Sequence, residues 1–135
     1  MKKLCLLIFL SVVSLVVCSG QSVSGLKCEH LESPVGIDAV APRLAWMLPE
    51  GVRRQAAYSI SVGTDPEAVS RGEGNIWNSG RIDSDDVLVR YSGQPLSPFT
   101  EYFWKVSVWT DASEVLESYV ASFETGMMDQ ENWEG

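Results

Sequence analysis

A thiol acts as a nucleophile only with a base beside it. In this 135-residue sequence the one such pairing is Cys28 with His30, in LKCEHLE. Two positions apart on an extended strand, they would share a face. His30 is the single histidine, and Cys5, Cys18 and Cys28 do not gather with it at a spacing that suits a metal. The simpler reading makes Cys28 a small core residue and His30 a partly exposed strand residue. Carboxylate chemistry would have to come from RIDSDD, where Asp83, Asp85 and Asp86 could form a hydrolytic pair or ligate calcium. That stretch lacks the Gly and following Glu of a calcium loop, and a hydrolytic pair needs a cleft that a small domain hardly provides. It reads as a solvated turn between strands. RGEGN, Arg71 to Asn75, follows no phosphate-loop pattern and reads as a turn as well. No catalytic residue, cofactor site or metal site is therefore expected.

What remains is aromatic. On the segment EYFWKVSVW, Phe103 and Trp109 point away from the set that includes Trp104, and Trp77 and Trp133 lie outside the evident core. Exposed rings of this kind either stack on sugars or are covered by another domain. The second reading is preferred, with carbohydrate as the alternative partner.

The elements that must position these rings are strands. Apolar residues alternate in RLAWML (Leu44, Trp46, Leu48), AAYSISVG (Tyr58, Ile60, Val62, with Ala57, Ser59 and Ser61 outward), DVLVRYSG (Val87, Val89, Tyr91) and SYVASFETG (Tyr119, Ala121, Phe123). LKCEHLE is a less regular first strand, and a short one is expected around Ile76 and Trp77. Together with the strand from Tyr102 this makes about seven, without helical crossovers. The fold class is all-β, a fibronectin type III or Ig-like antiparallel β-sandwich over residues 26–125, followed by a linker over residues 126–135.

The stretch PLSPFTEYFWKVSVW sharpens the choice. Pro95, Leu96, Pro98 and Thr100 turn the chain across the end of the sandwich. Tyr102 then enters a strand on the face of Trp104, Val106 and Val108, where its hydroxyl can bond a backbone group a few residues upstream, the tyrosine corner of Greek-key sandwiches. An Ig domain would want two cysteines around a core Trp, and only Cys28 is available, so the fibronectin type is the better fit. Trp46 and Trp104, with Tyr58 and Tyr102, are the expected centre of the core. Each Trp buries roughly 4 to 6 kcal/mol of apolar surface before entropy is counted.

The first 20 residues stand apart. Lys2 and Lys3 precede an apolar run from Leu4 to Val17, then Ser19 and Gly20, the pattern of a secretory signal cut after Ser19 or Gly20. The run is too short for a transmembrane anchor. LVVCSG also resembles a lipobox in which Cys18 is lipidated, although Val17 departs from the small residue expected there. The chain is thus expected in the periplasm, at the cell surface or outside the cell, with a lipid anchor on Cys18 as the alternative. Cleavage leaves Cys28 without a partner for an internal disulfide, so packing alone must hold the core. Loss of Lys2 and Lys3 leaves 8 of the 10 basic residues against 18 acidic ones, a net charge of −10. Such a surface repels nucleic acid and anionic membranes.

Four segments in order, ESPVGIDAVAPRLAWML, RQAAYSISVGT, IWNSGRIDSDDVLVRYSGQPLSPFTEYFWKVSVWT and FETGMMDQENWEG, resemble the N-terminal fibronectin-like module of bacterial α-L-rhamnosidases of glycoside hydrolase family 78. The turn TDASEVLES departs from the pattern in carrying no Gly. The resemblance implies a non-catalytic module of an exported, inverting hydrolase that removes terminal α-L-rhamnose from glycosides. It also implies that further β-sandwich domains and a catalytic helical barrel lie beyond Gly135, the chain being cut short by a truncated or broken coding sequence. The partners it implies are those following domains of the same polypeptide.

Overall fold

The computed structural model describes residues 22–128. Strands form where the alternation lies: β1 Ser24–Cys28, β2 Val35–Ile37, β3 Arg43–Met47, β4 Gln55–Gly63, β5 Trp77–Asn78, β6 Leu88–Arg90, β7 Glu101–Thr110, β8 Val115–Glu117 and β9 Ala121–Thr125. These are nine rather than about seven. The two additions, β2 and β8, are three residues long, too short to display a period. Among the described residues one short helix, α1, spans Pro66–Ser70. Its sequence signal is Asp65-Pro66, since the Asp65 carboxylate accepts from the Glu67 amide at 3.1 Å and Pro66 occupies the first turn.

Two sheets result, one ordered β1-β3-β6 and the other β2-β9-β7-β4-β5, with β8 also on β7. This is an Ig/fibronectin type III-like sandwich. The ladders are antiparallel, as expected of this sandwich, with the one addition that the short strand β2 runs parallel to β9. Strand β7 is the spine. Its first half pairs with β9, from Glu101 opposite Glu124 to Trp104 opposite Ala121, and its second half with β8, from Ser107 opposite Glu117 to Trp109 opposite Val115. Its other edge pairs with β4 from Gly63 opposite Phe103 to Ala57 opposite Trp109.

Period two puts Tyr102, Trp104, Val106 and Val108 between the sheets, all buried. Facing them are Leu26, Cys28, Leu44 and Trp46 of the smaller sheet. The rings of Trp46 and Tyr58 sit 5.5 Å apart at 58°, and those of Tyr102 and Phe123 stack at 5.5 Å and 27°. Trp46, Tyr58, Tyr102 and Trp104 all belong to this buried cluster.

The outward positions hold more surprises. Ala57 and Ser61 are buried, not outward-facing in solvent, because the far side of β4 is roofed by the segment that follows it. Val69 of α1 is fully buried there, the Ser61 hydroxyl donates to Asn78 Oδ1 at 2.9 Å, and the Gly74 amide donates to Ser61 Oγ at 2.8 Å. A Cβ on Gly74 would lie 2.2 Å from the Val62 carbonyl oxygen, so only glycine fits. Val87 and Tyr119 are exposed, contrary to the alternation. Val87 precedes the short edge strand β6 and is held only through its carbonyl, which accepts from the Trp46 amide at 3.1 Å. Tyr119 falls in the break between β8 and β9, where its hydroxyl accepts from the Leu26 amide at 3.1 Å. The first strand ends at Cys28, and the chain turns through Glu29 and His30 with φ of 52° and 67°.

Candidate functional site

The turn at Glu29 and His30 removes the thiol–imidazole pair, since His30 is exposed beyond the strand while Cys28 points into the core. Burial, with the charge of Glu29 second, pushes the Cys28 thiol up to about 12, the opposite of an activated nucleophile. Glu29 is turned to a structural task. Its carboxylate accepts from the Arg43 amide at 2.6 Å and from the Arg43 guanidinium at 3.2 Å through both oxygens. Those hydrogen bonds hold its pKa below the ordinary carboxylate value.

The RIDSDD turn likewise serves the fold. Arg81 Nε donates to Asp83 Oδ1 at 3.1 Å, on the surface. The carbonyls of Ser84 and Asp86 accept from Gln55 Nε2 at 3.2 and 2.6 Å. Gln55 Oε1 in turn accepts from Trp46 Nε1 at 2.9 Å. Gln55 is 1% exposed and went unnoticed in the sequence, where a polar residue opening a strand looks like an outward one. A register shift between Gln55 and Ala57 in the pairing with β7 turns it inward. Among the described residues no group of three or more His, Cys, Asp or Glu side chains is placed to hold a metal.

The outer rings fare differently from one another. Trp77 lies at the margin of the core, half-buried against it and edge-on to Tyr91 at 5.2 Å and 77°. A Cβ on Gly93 would come within 2.4 Å of Trp77 Cβ. Burial, then Tyr102, pushes the Tyr91 phenol up to about 12, and its hydroxyl donates to the Gln94 carbonyl. Phe103 and Trp109 are half-buried on the outer face of β7. The Arg81 guanidinium lies 4.9 Å from the Trp109 ring centroid, a cation–π contact that occupies one ring face. Trp133 and Cys18 lie outside the described residues, as does the segment read as a signal. No helix among the described residues is long and apolar enough to cross a membrane.

Among the described residues the most exposed aromatic ones are Phe99 and Tyr119, at 69% and 51%. Phe99 lies within the corner. There the Tyr102 hydroxyl accepts from the Ser97 amide at 2.7 Å, the upstream backbone bond expected of it. Buried Thr125 closes the corner from the other side: its hydroxyl donates to the Ser97 carbonyl at 2.6 Å and accepts from the Thr100 amide at 2.9 Å. The chain beyond β9 stays attached, with the Gly126 amide on the Ile37 carbonyl at 2.8 Å and the Met128 amide on Asp38 Oδ1 at 3.0 Å. At the opposite end, a shallow groove of about 310 Å³ runs between the β3–β4 loop (Val52, Arg53, Arg54) and the β7–β8 turn (Asp111, Glu114).

Residues 23–129 match the Rha78A-like, N-terminal immunoglobulin domain family. An α-L-rhamnosidase of Streptomyces avermitilis is 39% identical over 119 residues, 85% of this chain and 11% of that protein. One from Formosa agariphila is 31% identical over 136 residues, 93% of this chain and 14% of that protein. The solved structure of the Dictyoglumus thermophilum α-L-rhamnosidase superposes with a TM-score of 0.77 at 35% identity, over 83% of this chain and 13% of that one. The Streptomyces avermitilis enzyme complexed with L-rhamnose does so at 0.76 and 37%, over 84% of this chain and 11% of that one. The chain thus spans between 11% and 14% of the length of the curated relatives it matches.

Proposed function

Because the chain belongs to the family of Rha78A-like N-terminal immunoglobulin domains, we propose that it is a non-catalytic module of an exported α-L-rhamnosidase that packs on and orients the domains following it. The parent enzyme then hydrolyses terminal α-L-rhamnose from glycosides by inversion. That chemistry needs two carboxyl groups across a sugar-sized space, about 6.5–9.5 Å apart.

The observation that carries the reading is how the polar side chains of this domain are spent. Gln55 ties Trp46 to the RIDSDD turn, Glu29 is bound to Arg43, and Thr125 and Tyr102 lock the corner. Each acts within the sandwich, as scaffolding does, and the acidic side chains of the described turns lie on open surface. Within the domain Arg81 covers one face of Trp109 and Trp77 is engaged with Tyr91, which leaves less open ring for a sugar to stack on.

The purified 135-residue chain is expected to give no release of aryl leaving group from an aryl α-L-rhamnoside above a mock preparation. Turnover that survives repurification would overturn the non-catalytic reading. Export is tested separately by mass spectrometry of the N-terminus after expression in a Gram-negative host, where an end at Gly20 or Gln21 is expected and a lipidated N-terminal Cys18 marks the lipoprotein alternative.

A further inference from the structure

Phe99 is held at a double disadvantage. Its φ of 53° is left-handed, a conformation that suits glycine. Its ring is 69% exposed, although Phe belongs to the residue types most often buried. The backbone bond at this position, from the Phe99 amide to the Gly126 carbonyl at 3.0 Å, does not depend on the side chain and would form equally well with glycine. An observed outlier of this kind points toward a task outside the domain.

The surroundings agree. Gly126 is bonded onward to Ile37, and Met128 to Asp38, so the corner, the β2–β3 loop and the departing chain are knit together at one end of the sandwich. From these three segments Phe99, Val40 and Met127 present apolar side chains to solvent, Val40 at 68% exposure. Resting on the reading of this chain as a module, we propose that Phe99, Val40 and Met127 form the seat on which the next folded domain of the polypeptide docks. The occupant follows from where the chain leaves. In the relatives this domain is N-terminal and accounts for 11–14% of the protein, so the bulk of the polypeptide begins at this end. Of the other exposed apolar residues, Met47 and Leu88 on the outer face of the three-stranded sheet are interleaved with Lys27, Arg43 and Arg90 and lie away from that exit.

The test replaces the matched segment of the Streptomyces avermitilis α-L-rhamnosidase with residues 23–129 of this chain. Hydrogen exchange is then compared between the chimera and the 135-residue chain alone. Amides around Val40 and Phe99 are expected to exchange on the order of tenfold more slowly in the chimera, and Phe99→Gly or Val40→Ser to abolish that protection while Leu88→Ser leaves it intact. Phe99→Gly relieves the backbone, so the variant chain alone should melt no lower than wild type, which separates lost docking from lost folding. Protection over Met47, Leu88 or the groove at Arg53 with none at Phe99 overturns the seat and leaves the module reading standing. No added protection anywhere overturns both. If the chimera does not accumulate, the Streptomyces enzyme lacking its matched segment is titrated with the 135-residue chain and the same peptides are followed.

Discussion

Replacing Gln55 with Leu keeps the bulk of the side chain while removing every hydrogen bond it makes. Trp46 Nε1 then lies in the core, 2% exposed, without an acceptor. An orphaned buried donor costs about 1–3 kcal/mol. The carbonyls of Ser84 and Asp86 also lose their donor, but they belong to an open turn that water reaches, so their share is smaller. A total of about 2–3 kcal/mol is expected, a large fraction of the roughly 5–15 kcal/mol that a domain of this kind has. Urea unfolding followed by tryptophan fluorescence should show the midpoint falling with an unchanged slope. In a thermal scan the same loss corresponds to a drop of about 8–20 °C. The reasoning names the indole N–H as the main cause, which a cycle with Trp46→Phe isolates. In that background Gln55→Leu should cost at least about 1 kcal/mol less than in wild type. Additive effects within about 0.5 kcal/mol would refute the orphaned-donor account and point to packing alone.

Three further outcomes are expected. With Cys5 and Cys18 changed to Ser, Cys28 should react with a thiol reagent on the order of a thousandfold more slowly in the native chain than in urea, because burial holds its pKa at about 12 and shields the sulfur; rapid labelling in native buffer would contradict the placement. The folded pKa of Glu29 lies below its unfolded value of about 4.3, so its contribution is present above that value and is lost as pH falls through the folded pKa. Arg43→Leu should therefore flatten the acid limb of a stability–pH curve, whereas an unchanged limb would sink that assignment. Ser113, with φ of 67° in the turn after β7, occupies a left-handed position, so Ser113→Gly should raise stability by about 0.5–1 kcal/mol in urea unfolding.

That last position lies in the turn TDASEVLES, which carries no Gly. The chain makes a tight turn there without one: the Thr110 hydroxyl accepts from the Ala112 and Glu114 amides at 3.2 Å each, and Ser113 takes the left-handed place. Period two succeeded on β7 and β3, where one face is core and the other is not. It failed on β4, because a strand roofed on its second face buries Ala57 and Ser61 whatever their polarity, and the roof comes from residues later in the chain. Gln55 was illegible for a related reason. A one-residue shift in pairing reverses which way a side chain points, and nothing in the local sequence announces it.

The corner, by contrast, was legible because its parts are adjacent in sequence: a Pro-rich turn, a Tyr entering a strand, and a backbone amide five residues earlier to donate to its hydroxyl. What adjacency could not disclose is the third member. Thr125 arrives from the end of β9 and bonds both Ser97 and Thr100, which makes the corner a clamp on the last strand as well as a turn before β7. Because the Phe99 amide then holds Gly126 and Asp38 holds Met128, the direction in which the polypeptide leaves is fixed to the core by hydrogen bonds on both sides. Under the reading proposed above, in which the domain holds its neighbour at one angle, such a clamp is the expected arrangement. The same clamp places Phe99 beside the departing chain, where an exposed ring on a strained backbone would otherwise be a liability.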